Sequence, residues 1–220
     1  ENIFISSPEN VAWLLNLRGR DGPSSPIPNC KIILTNKKKI YFFSCPKKIS
    51  QIKKSKQYKN LIFSNYKDFS KIINKLKGKN FCIDNISCSL SNESIIKKTF
   101  GIKLRIDPCY LMKSIKNKSE IKHTIDTHIK DGLALTRFIY WIKNVNKKKI
   151  TEIEAKNKLE KFRRLNKDYL FPSFDTIAGT GSNGAIIHYR VNKKSNKIIK
   201  KNDIFLCDSG GQYNFGTTDV

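Results

Sequence analysis

The residues best placed to do chemistry together are Asp208 and Asp219, eleven positions apart near the end of the printed chain. A short apolar run precedes Asp208, and glycines at 210, 211 and 216 predict a turn between the two carboxylates. A hairpin of that length would bring one Asp from each strand to the same place. Neighbouring carboxylates repel unless a cation or a shared proton neutralises them. Their oxygens suit Mn²⁺, Mg²⁺ or Zn²⁺, although on spacing alone two loop carboxylates facing water are an equal alternative.

The three histidines are the other candidates. His188 stands beside a tyrosine after an apolar run, and that setting alone favours a core histidine over a catalytic one. His128 and Asp131 have the i, i+3 spacing of helix neighbours, so they could pair or ligate, and a structural contact within the helix is the simpler interpretation. His123 is expected on the solvated side of the same helix.

The first hundred residues alternate short apolar runs with amphipathic stretches, which is typical of an α/β domain. Residues 11–17 are interpreted as a strand. Residues 30–35 and 40–44 predict a hairpin around a polar turn, and residues 61–64 and 81–83 predict further strands.

From residue 107 onward the pattern changes to long helices followed by strands, an α+β arrangement. A helix from about Ser119 is predicted to bury a single apolar face formed by Ile121, Ile125, Ile129, Leu133, Phe138, Trp141, Ile142 and Val145. A second helix is predicted to begin at Thr151, which has the capping-box spacing with Glu154. Strands are predicted over residues 174–178, 185–189 and 204–207, and the last of these must position Asp208.

The formal net charge of +25 comes from 43 basic residues, seven of which are Arg. Such an excess could neutralise nucleic-acid phosphates. Nucleic-acid-binding proteins usually concentrate their basic residues on one face, whereas the Lys clusters at residues 37–39, 147–149 and 193–194 lie in separate predicted turns. The sequence therefore favours scattered, solvated lysines and no specific nucleic-acid partner.

The six cysteines include no C-x-x-C pair, and no His stands at zinc-ligand spacing from them. We therefore expect small buried thiols in a reducing compartment, the cytoplasm. No apolar run approaches the roughly 20 residues of a bilayer crossing, so no membrane partner is expected. The first residues lack a signal-peptide pattern and the last lie in a strand-like run, so both ends are expected to be cut from a longer chain.

Three consecutive segments, residues 173–177, 180–189 and 208–220, resemble motifs of aminopeptidase P, the Xaa-Pro aminopeptidase branch of the pita-bread metallopeptidases. Their order and gaps match, including the 20 residues from His188 to Asp208. Residues 13–21 resemble the entry to the middle domain of the long, three-domain form. Residues 116–121 and 128–131 resemble the first helix of the catalytic domain, while residues 46–105 match only in pattern.

This resemblance implies an α/β, creatinase-type domain over residues 1–106, followed over residues 107–220 by the first half of an α+β pita-bread catalytic domain. It also implies two metal ions per site, with Mn²⁺ expected and Zn²⁺ or Co²⁺ as alternatives. Asp208 would ligate one ion and Asp219 would bridge both. The remaining ligands, a His and two Glu, would lie beyond Val220. His188 would be the catalytic and substrate-binding residue that stabilises the tetrahedral intermediate or binds the scissile amide.

The implied reaction is hydrolysis of the N-terminal Xaa-Pro peptide bond by a metal-activated water, on peptides with proline second, in a homodimeric cytoplasmic enzyme. A prolidase-type Xaa-Pro dipeptidase shares the fold and is the nearest alternative. Another alternative is a non-catalytic pita-bread protein that binds histones or nucleic acid. Such proteins lose metal ligands, whereas Asp208 and Asp219 are both present.

Overall fold

The computed structural model describes residues 1–145 and 149–220. The described chain divides into two compact units, which are Glu1–Gly22 with Pro26–Ile115 (unit 1) and Pro23–Ser25 with Lys116–Val220 (unit 2). The domain boundary predicted between residues 106 and 107 falls inside unit 1, and the assignment of domains to residues 1–106 and 107–220 stays a prediction. Two lysines of the cluster predicted at 147–149 lie outside the described residues.

Unit 1 is built around a six-stranded mixed sheet with the strand order β4-β3-β2-β1-β5-β6. Its elements in chain order are β1 (Asn2–Ile5), α1 (Pro8–Leu15), β2 (Lys31–Leu34), β3 (Ile40–Ser44), α2 (Pro46–Ile52), β4 (Leu61–Asn65), α3 (Phe69–Ile73), β5 (Asn80–Ile83), α4 (Leu90–Lys97), β6 (Gly101–Leu104) and α5 (Pro108–Ser114).

Neighbouring residues in the central strands of unit 1 belong to opposite cores. Phe4 packs in one cluster with residues of α3 and α4, whereas Ile5 packs in another with Val11 of α1 and Cys109 of α5. Because both faces of the sheet are covered, its central strands are apolar at most positions. The strands predicted at residues 30–35, 40–44, 61–64 and 81–83 are confirmed.

The strand predicted over residues 11–17 is wrong, because residues 11–15 lie in helix α1. Pro8 occupies the first turn, where its missing N–H costs no hydrogen bond. Asn16 ends the helix in the left-handed conformation at φ 51°, and its N–H bonds to the Trp13 carbonyl. A short apolar run does not by itself distinguish a strand from a buried helix, and the proline was the better signal.

Unit 2 consists of two long helices followed by short antiparallel strands. Its elements are α6 (Lys118–Asn144), α7 (Glu152–Arg163), β7 (Tyr169–Pro172), β8 (Ile177–Thr180), a 3₁₀ helix (Gly181–Ala185), β9 (Phe205–Asp208), β10 (Gly211–Tyr213) and β11 (Gly216–Thr217). Strand β10 lies between β11 and β7, and β8 pairs with β9. Thr151 and Glu154 form the predicted capping box, and Asn117 and Glu120 form a second at the start of α6.

The apolar face predicted for α6 is confirmed in its second half, where Phe138 is buried and Trp141, Ile142 and Val145 pack against the same cluster. It is wrong in its first half. Each step of four residues turns an α-helix about 40° past a full turn, so a strict i, i+4 series moves around the cylinder. Ile121, Ile125, Ile129 and Leu133 are accordingly exposed. The buried face instead carries Thr127, Asp131, Ala134 and Phe138, at alternating spacings of four and three.

The strand predicted over residues 185–189 is also wrong, because the chain leaves the 3₁₀ helix there and enters a turn. The strand predicted over residues 174–178 begins at Ile177, and the one over 204–207 is confirmed as β9. Among the described residues, no helix combines the length and the apolar character that a membrane crossing requires.

Candidate metal centre

Asp208 and Asp219 lie on two antiparallel chain segments, one leading into β10 and the other following β11. Asp208 ends β9 opposite Ile177, and two linking residues carry the chain on into β10. Beyond β11 the backbone pairing continues, since Ser209 and Val220 exchange both N–H···O hydrogen bonds at 2.9 Å. Asp208 directly precedes Ser209, and Asp219 directly precedes Val220. Each carboxylate residue therefore adjoins one member of this hydrogen-bonded pair.

The register sets the direction of the two carboxylates. Side chains alternate along a strand, so Asp208 and Gly210 share a face, and the pairing of Ser209 with Val220 puts Gly210 opposite Asp219. Asp208 and Asp219 are consequently diagonal neighbours on the same face, a relation that spans about 7–8 Å. The predicted hairpin is confirmed, and the metal-ligand roles of the two residues stay predictions.

Gly210 is the residue that allows the two strands to approach. A Cβ atom at this position would overlap the carbonyl oxygen of Thr218 and the hydroxyl of Ser173. Ser173 ties the same place together, because its hydroxyl donates to the Thr218 carbonyl at 2.9 Å and its N–H donates to the Gly210 carbonyl at 3.1 Å. The absence of a side chain at Gly210 thus allows the two strands to lie at their observed distance.

The donor set fits part of a divalent-cation site. Both side chains offer hard carboxylate oxygens, which suit Mn²⁺ and Mg²⁺. Asp208 is half-buried and Asp219 is exposed, so an ion has access to the face they share. In the part of the chain that the structure describes, no group of three or more His, Cys, Asp and Glu side chains could hold a metal ion.

A buried network stands on the opposite face of this ladder. Asp131 accepts hydrogen bonds from Arg163 at 2.7 and 3.1 Å, from the Tyr213 hydroxyl at 2.6 Å and from the Thr218 hydroxyl at 2.8 Å. Burial raises the pKa of Asp131, but these hydrogen bonds and the Arg163 charge outweigh burial and hold the pKa below its ordinary value. Burial likewise raises the pKa of the Tyr213 hydroxyl, and the neighbouring carboxylate raises it further.

Sequence reasoning missed this network. It considered a contact between His128 and Asp131, whereas the His128 ring nitrogen Nδ1 lies 2.8 Å from the Thr124 carbonyl. His123, expected on the solvated side, is exposed and its ring contacts that of Phe215. The sequence did contain one indication of burial: Asp131 has the helical spacing that puts it on the same buried face of α6 as Ala134 and Phe138.

We expect Asp131→Asn to lower the free energy of unfolding by about 3–5 kcal/mol at pH 7, because Arg163 is left buried without its counter-charge. Since the pKa of Asp131 is depressed in the folded protein, its carboxylate stabilises above the ordinary value of 3.8 and loses that effect as pH falls through the lower folded value. Urea unfolding followed by circular dichroism should therefore give a wild-type advantage that is constant from about pH 7 to 5 and shrinks below about pH 4. An advantage that persists unchanged to pH 3 would contradict this assignment.

His188 lies in the turn after the 3₁₀ helix, is exposed, and adopts a left-handed backbone at φ 54°. The chain leaves β8 through Thr180, at the end opposite the residue paired with Asp208. The structure thus brings the two Asp residues onto one ladder and puts His188 on a separate segment. The core position that its local setting favoured is wrong, and the catalytic role stays a prediction.

The His188 turn is anchored by a buried carboxylate, Glu152, that the sequence analysis did not single out. Glu152 is fully buried at the start of α7. It accepts hydrogen bonds from the Thr180 N–H at 2.8 Å, the Lys197 N–H at 3.1 Å, the Asn183 amide at 3.0 and 3.1 Å, and the Tyr189 hydroxyl at 3.0 Å. These donors, together with the helix N-terminus, offset the cost of burying its charge.

We expect Glu152→Gln to lower the free energy of unfolding by about 2–3 kcal/mol, since an amide cannot accept all of these hydrogen bonds. The matched control is Glu120→Gln, where the carboxylate accepts from the Asn117 N–H at an exposed helix start and the expected cost is below about 1 kcal/mol. Urea unfolding of both variants measures the difference. Equal effects would mean that burial of Glu152 contributes nothing.

Comparison with known families decides where this arrangement belongs. Residues 1–120 match the creatinase/prolidase N-terminal domain, and residues 124–220 match metallopeptidase family M24. The chain belongs to the creatinase/prolidase and M24 metallopeptidase family. The ladder with Asp208 and Asp219, the buried network behind it and His188 all lie in the M24 part.

Curated relatives resemble nearly the whole chain. Xaa-Pro aminopeptidase ApepP of Drosophila melanogaster is 34% identical over 99% of the chain, which corresponds to 36% of that protein. A probable Xaa-Pro aminopeptidase P of Sordaria macrospora is 35% identical over 98% of the chain and 37% of its own length. The chain therefore spans about a third of the length of these relatives.

Solved structures of the family support the fold. An X-prolyl aminopeptidase from Caenorhabditis elegans, described as a cytosolic enzyme with a di-nuclear active site, superposes with a TM-score of 0.88 at 28% identity. It covers all of this chain, which corresponds to 37% of that structure. The prolidase from Pyrococcus furiosus has the same fold, with a TM-score of 0.71 at 24% identity over 99% of this chain and 64% of its own. The expectation of a creatinase-type α/β domain followed by part of an α+β pita-bread domain is confirmed.

Proposed function

We propose that the whole protein is a metal-dependent Xaa-Pro aminopeptidase that hydrolyses the N-terminal peptide bond of substrates with proline second. The observation that carries the proposal is the ladder of the M24 part, which puts Asp208 and Asp219 on one face. The similarity of about 35% to proteins named Xaa-Pro aminopeptidase supports the substrate class. Residues 1–106 form the non-catalytic domain in this proposal and residues 107–220 part of the catalytic one.

The proposed site holds two divalent ions. Asp208 and Asp219 would hold the ions, together with a His and two Glu expected beyond Val220. Mn²⁺ is the proposed metal, with Zn²⁺ or Co²⁺ as alternatives, since carboxylates suit all of these ions. When bound, the ions supply the Lewis acidity that activates water for attack on a carbonyl. The di-nuclear site of the solved C. elegans relative supports two ions.

The residues of this chain contribute orientation and charge. The carboxylates of Asp208 and Asp219 supply the negative charge that holds cations on a rigid ladder. His188, exposed in its turn, faces the substrate in this proposal and donates a hydrogen bond to the developing oxyanion or to the scissile amide. The buried Glu152 network fixes the segment on both sides of His188.

The proposed setting is the cytoplasm, and the proposed assembly is a homodimer. The free state of all six cysteines supports the location, since reducing compartments keep thiols unpaired. Burial raises the pKa of the Cys30 and Cys109 thiols to about 12 and that of Cys88 to about 11. Such thiols stay protonated and behave as small apolar side chains. The C. elegans relative, a cytosolic enzyme, agrees with this location. No specific nucleic-acid partner and no membrane partner is proposed.

Three peptides test the reaction on full-length protein supplied with Mn²⁺. We expect release of Arg from Arg-Pro-Pro and no cleavage of Arg-Leu-Pro, with the dipeptide Arg-Pro cleaved poorly. If Arg-Pro is the better substrate, the protein is a dipeptidase of the prolidase type. If Arg-Pro-Pro stays intact while Arg-Leu-Pro is cleaved, the Xaa-Pro assignment is wrong.

A further inference from the structure

A buried ion pair lies behind the ladder that carries the two candidate ligands. Arg163 on α7 donates from Nε and Nη2 to the two carboxylate oxygens of Asp131 on α6, over 2.7 and 3.1 Å. Both side chains are 1% exposed. A buried pair is weak evidence for stability, because well-packed apolar residues often replace it without loss. The other hydrogen bonds of Asp131 and Arg163 indicate that the pair instead fixes the position of the strands in front of it.

Those contacts reach the residues that adjoin both candidate ligands. Nη2 of Arg163 donates to the hydroxyl of Ser209 at 3.0 Å, and Ser209 directly follows Asp208. The Asp131 carboxylate accepts a hydrogen bond from the Thr218 hydroxyl at 2.8 Å, and Thr218 directly precedes Asp219. By strand alternation, these two hydroxyls leave the ladder on the face opposite the carboxylates.

Further hydrogen bonds connect the ion pair to the hairpin formed by β10 and β11. The Thr218 hydroxyl also accepts from the Gly211 N–H at 2.9 Å, so it links the ion pair to the neighbouring strand. The Tyr213 hydroxyl donates to Asp131 at 2.6 Å from the far end of β10. Hydrogen bonds to charged partners are shorter and stronger than neutral ones. The pair therefore holds both strands of the ladder at fixed places relative to α6 and α7.

We propose that Asp131 and Arg163 are positioning residues for the metal centre, which fix the separation and direction of Asp208 and Asp219 from behind the ladder. This inference rests on the proposed function, because it needs the two carboxylates to be ligands. Neither residue is itself proposed as a ligand. Partners of this kind, one step behind the ligands, change metal affinity or activity by about 10–100-fold when they are removed.

Thr218→Val in the full-length protein is the primary test, since valine keeps the shape of the side chain and removes the hydroxyl. We expect the Kd for Mn²⁺, measured by calorimetry on metal-free protein, to rise by about 10–100-fold. At saturating Mn²⁺ the KM for the peptide should stay within about twofold, because positioning of the ions is not peptide binding. Thr218→Ser keeps the hydroxyl and should restore the wild-type Kd to within about threefold.

The matched control is Thr136→Val on the exposed side of α6, where the hydroxyl donates only locally to the Gly132 carbonyl at 2.8 Å. This variant should bind Mn²⁺ as the wild type does. A folded Thr218→Val protein with wild-type Mn²⁺ affinity overturns the inference and leaves the proposed function intact. If Thr218→Val does not fold, Ser209→Ala is measured by the same criterion. A wild-type protein that binds no Mn²⁺ overturns both, and that result is seen before any variant is made.

Discussion

Asp219→Asn in the full-length protein should lower kcat/KM for Arg-Pro-Pro by about a thousandfold or more. An asparagine carries no charge and offers one donor oxygen instead of two, so it would hold divalent cations much less strongly. A thousandfold loss corresponds to about 4 kcal/mol of transition-state stabilisation, on the scale of what bound metal ions contribute. Initial rates of Arg release at saturating Mn²⁺ measure the effect.

The control for this variant is Asp126→Asn, which makes the same chemical change at an exposed position on α6. Its rate should stay within about twofold of the wild type, as for a surface substitution. If Asp219→Asn retained wild-type activity while folding normally by circular dichroism, Asp219 would not be a ligand.

Gly210→Ala should weaken Mn²⁺ binding at least tenfold and destabilise the fold by about 1–3 kcal/mol, the usual cost of overpacking. The added Cβ would overlap the Thr218 carbonyl and the Ser173 hydroxyl. Both neighbours are held by their own hydrogen bonds, so relief requires the strands of Asp208 and Asp219 to separate. Calorimetric Mn²⁺ titration and urea unfolding measure the two effects.

Gly132→Ala is the matched control, because a Cβ at that position on α6 meets nothing within 4 Å. Alanine favours a helix over glycine by about 0.8–1 kcal/mol, so this variant should be as stable as the wild type or more stable, with unchanged Mn²⁺ affinity. A Gly210→Ala protein that matched this control in both measurements would show that the ladder tolerates the side chain.

The elements that local sequence patterns could predict are those in which one physical signal dominates. The capping residues at Thr151 and Glu154 are one case, and the Gly-rich turn between Asp208 and Asp219 is another. The error at α1 arose where an apolar run fits both a strand and a helix. The error on α6 arose because an i, i+4 series was treated as one face, although the buried face follows the true helical period.

The buried networks could not be predicted from local patterns. The Asp131 network joins a helix residue to Arg163, 32 positions later, and to Thr218, 87 positions later. The Glu152 network similarly reaches Lys197 across 45 positions. The spacing puts Asp131 on the buried face of α6, but it does not say which groups the carboxylate contacts, because those hydrogen bonds form only once the sheet packs on the helices. The structure, and not the sequence, shows that the Asp131 network lies directly behind the two candidate ligands.

Manganese titration of metal-free full-length protein, with Arg-Pro-Pro hydrolysis measured at each addition, tests the metal-dependent Xaa-Pro activity most directly. We expect two Mn²⁺ ions per chain, with hydrolysis absent at the start, maximal once both sites are filled, and lost again on addition of a chelator. Full hydrolysis in the metal-free protein, unaffected by the chelator, would contradict the proposal.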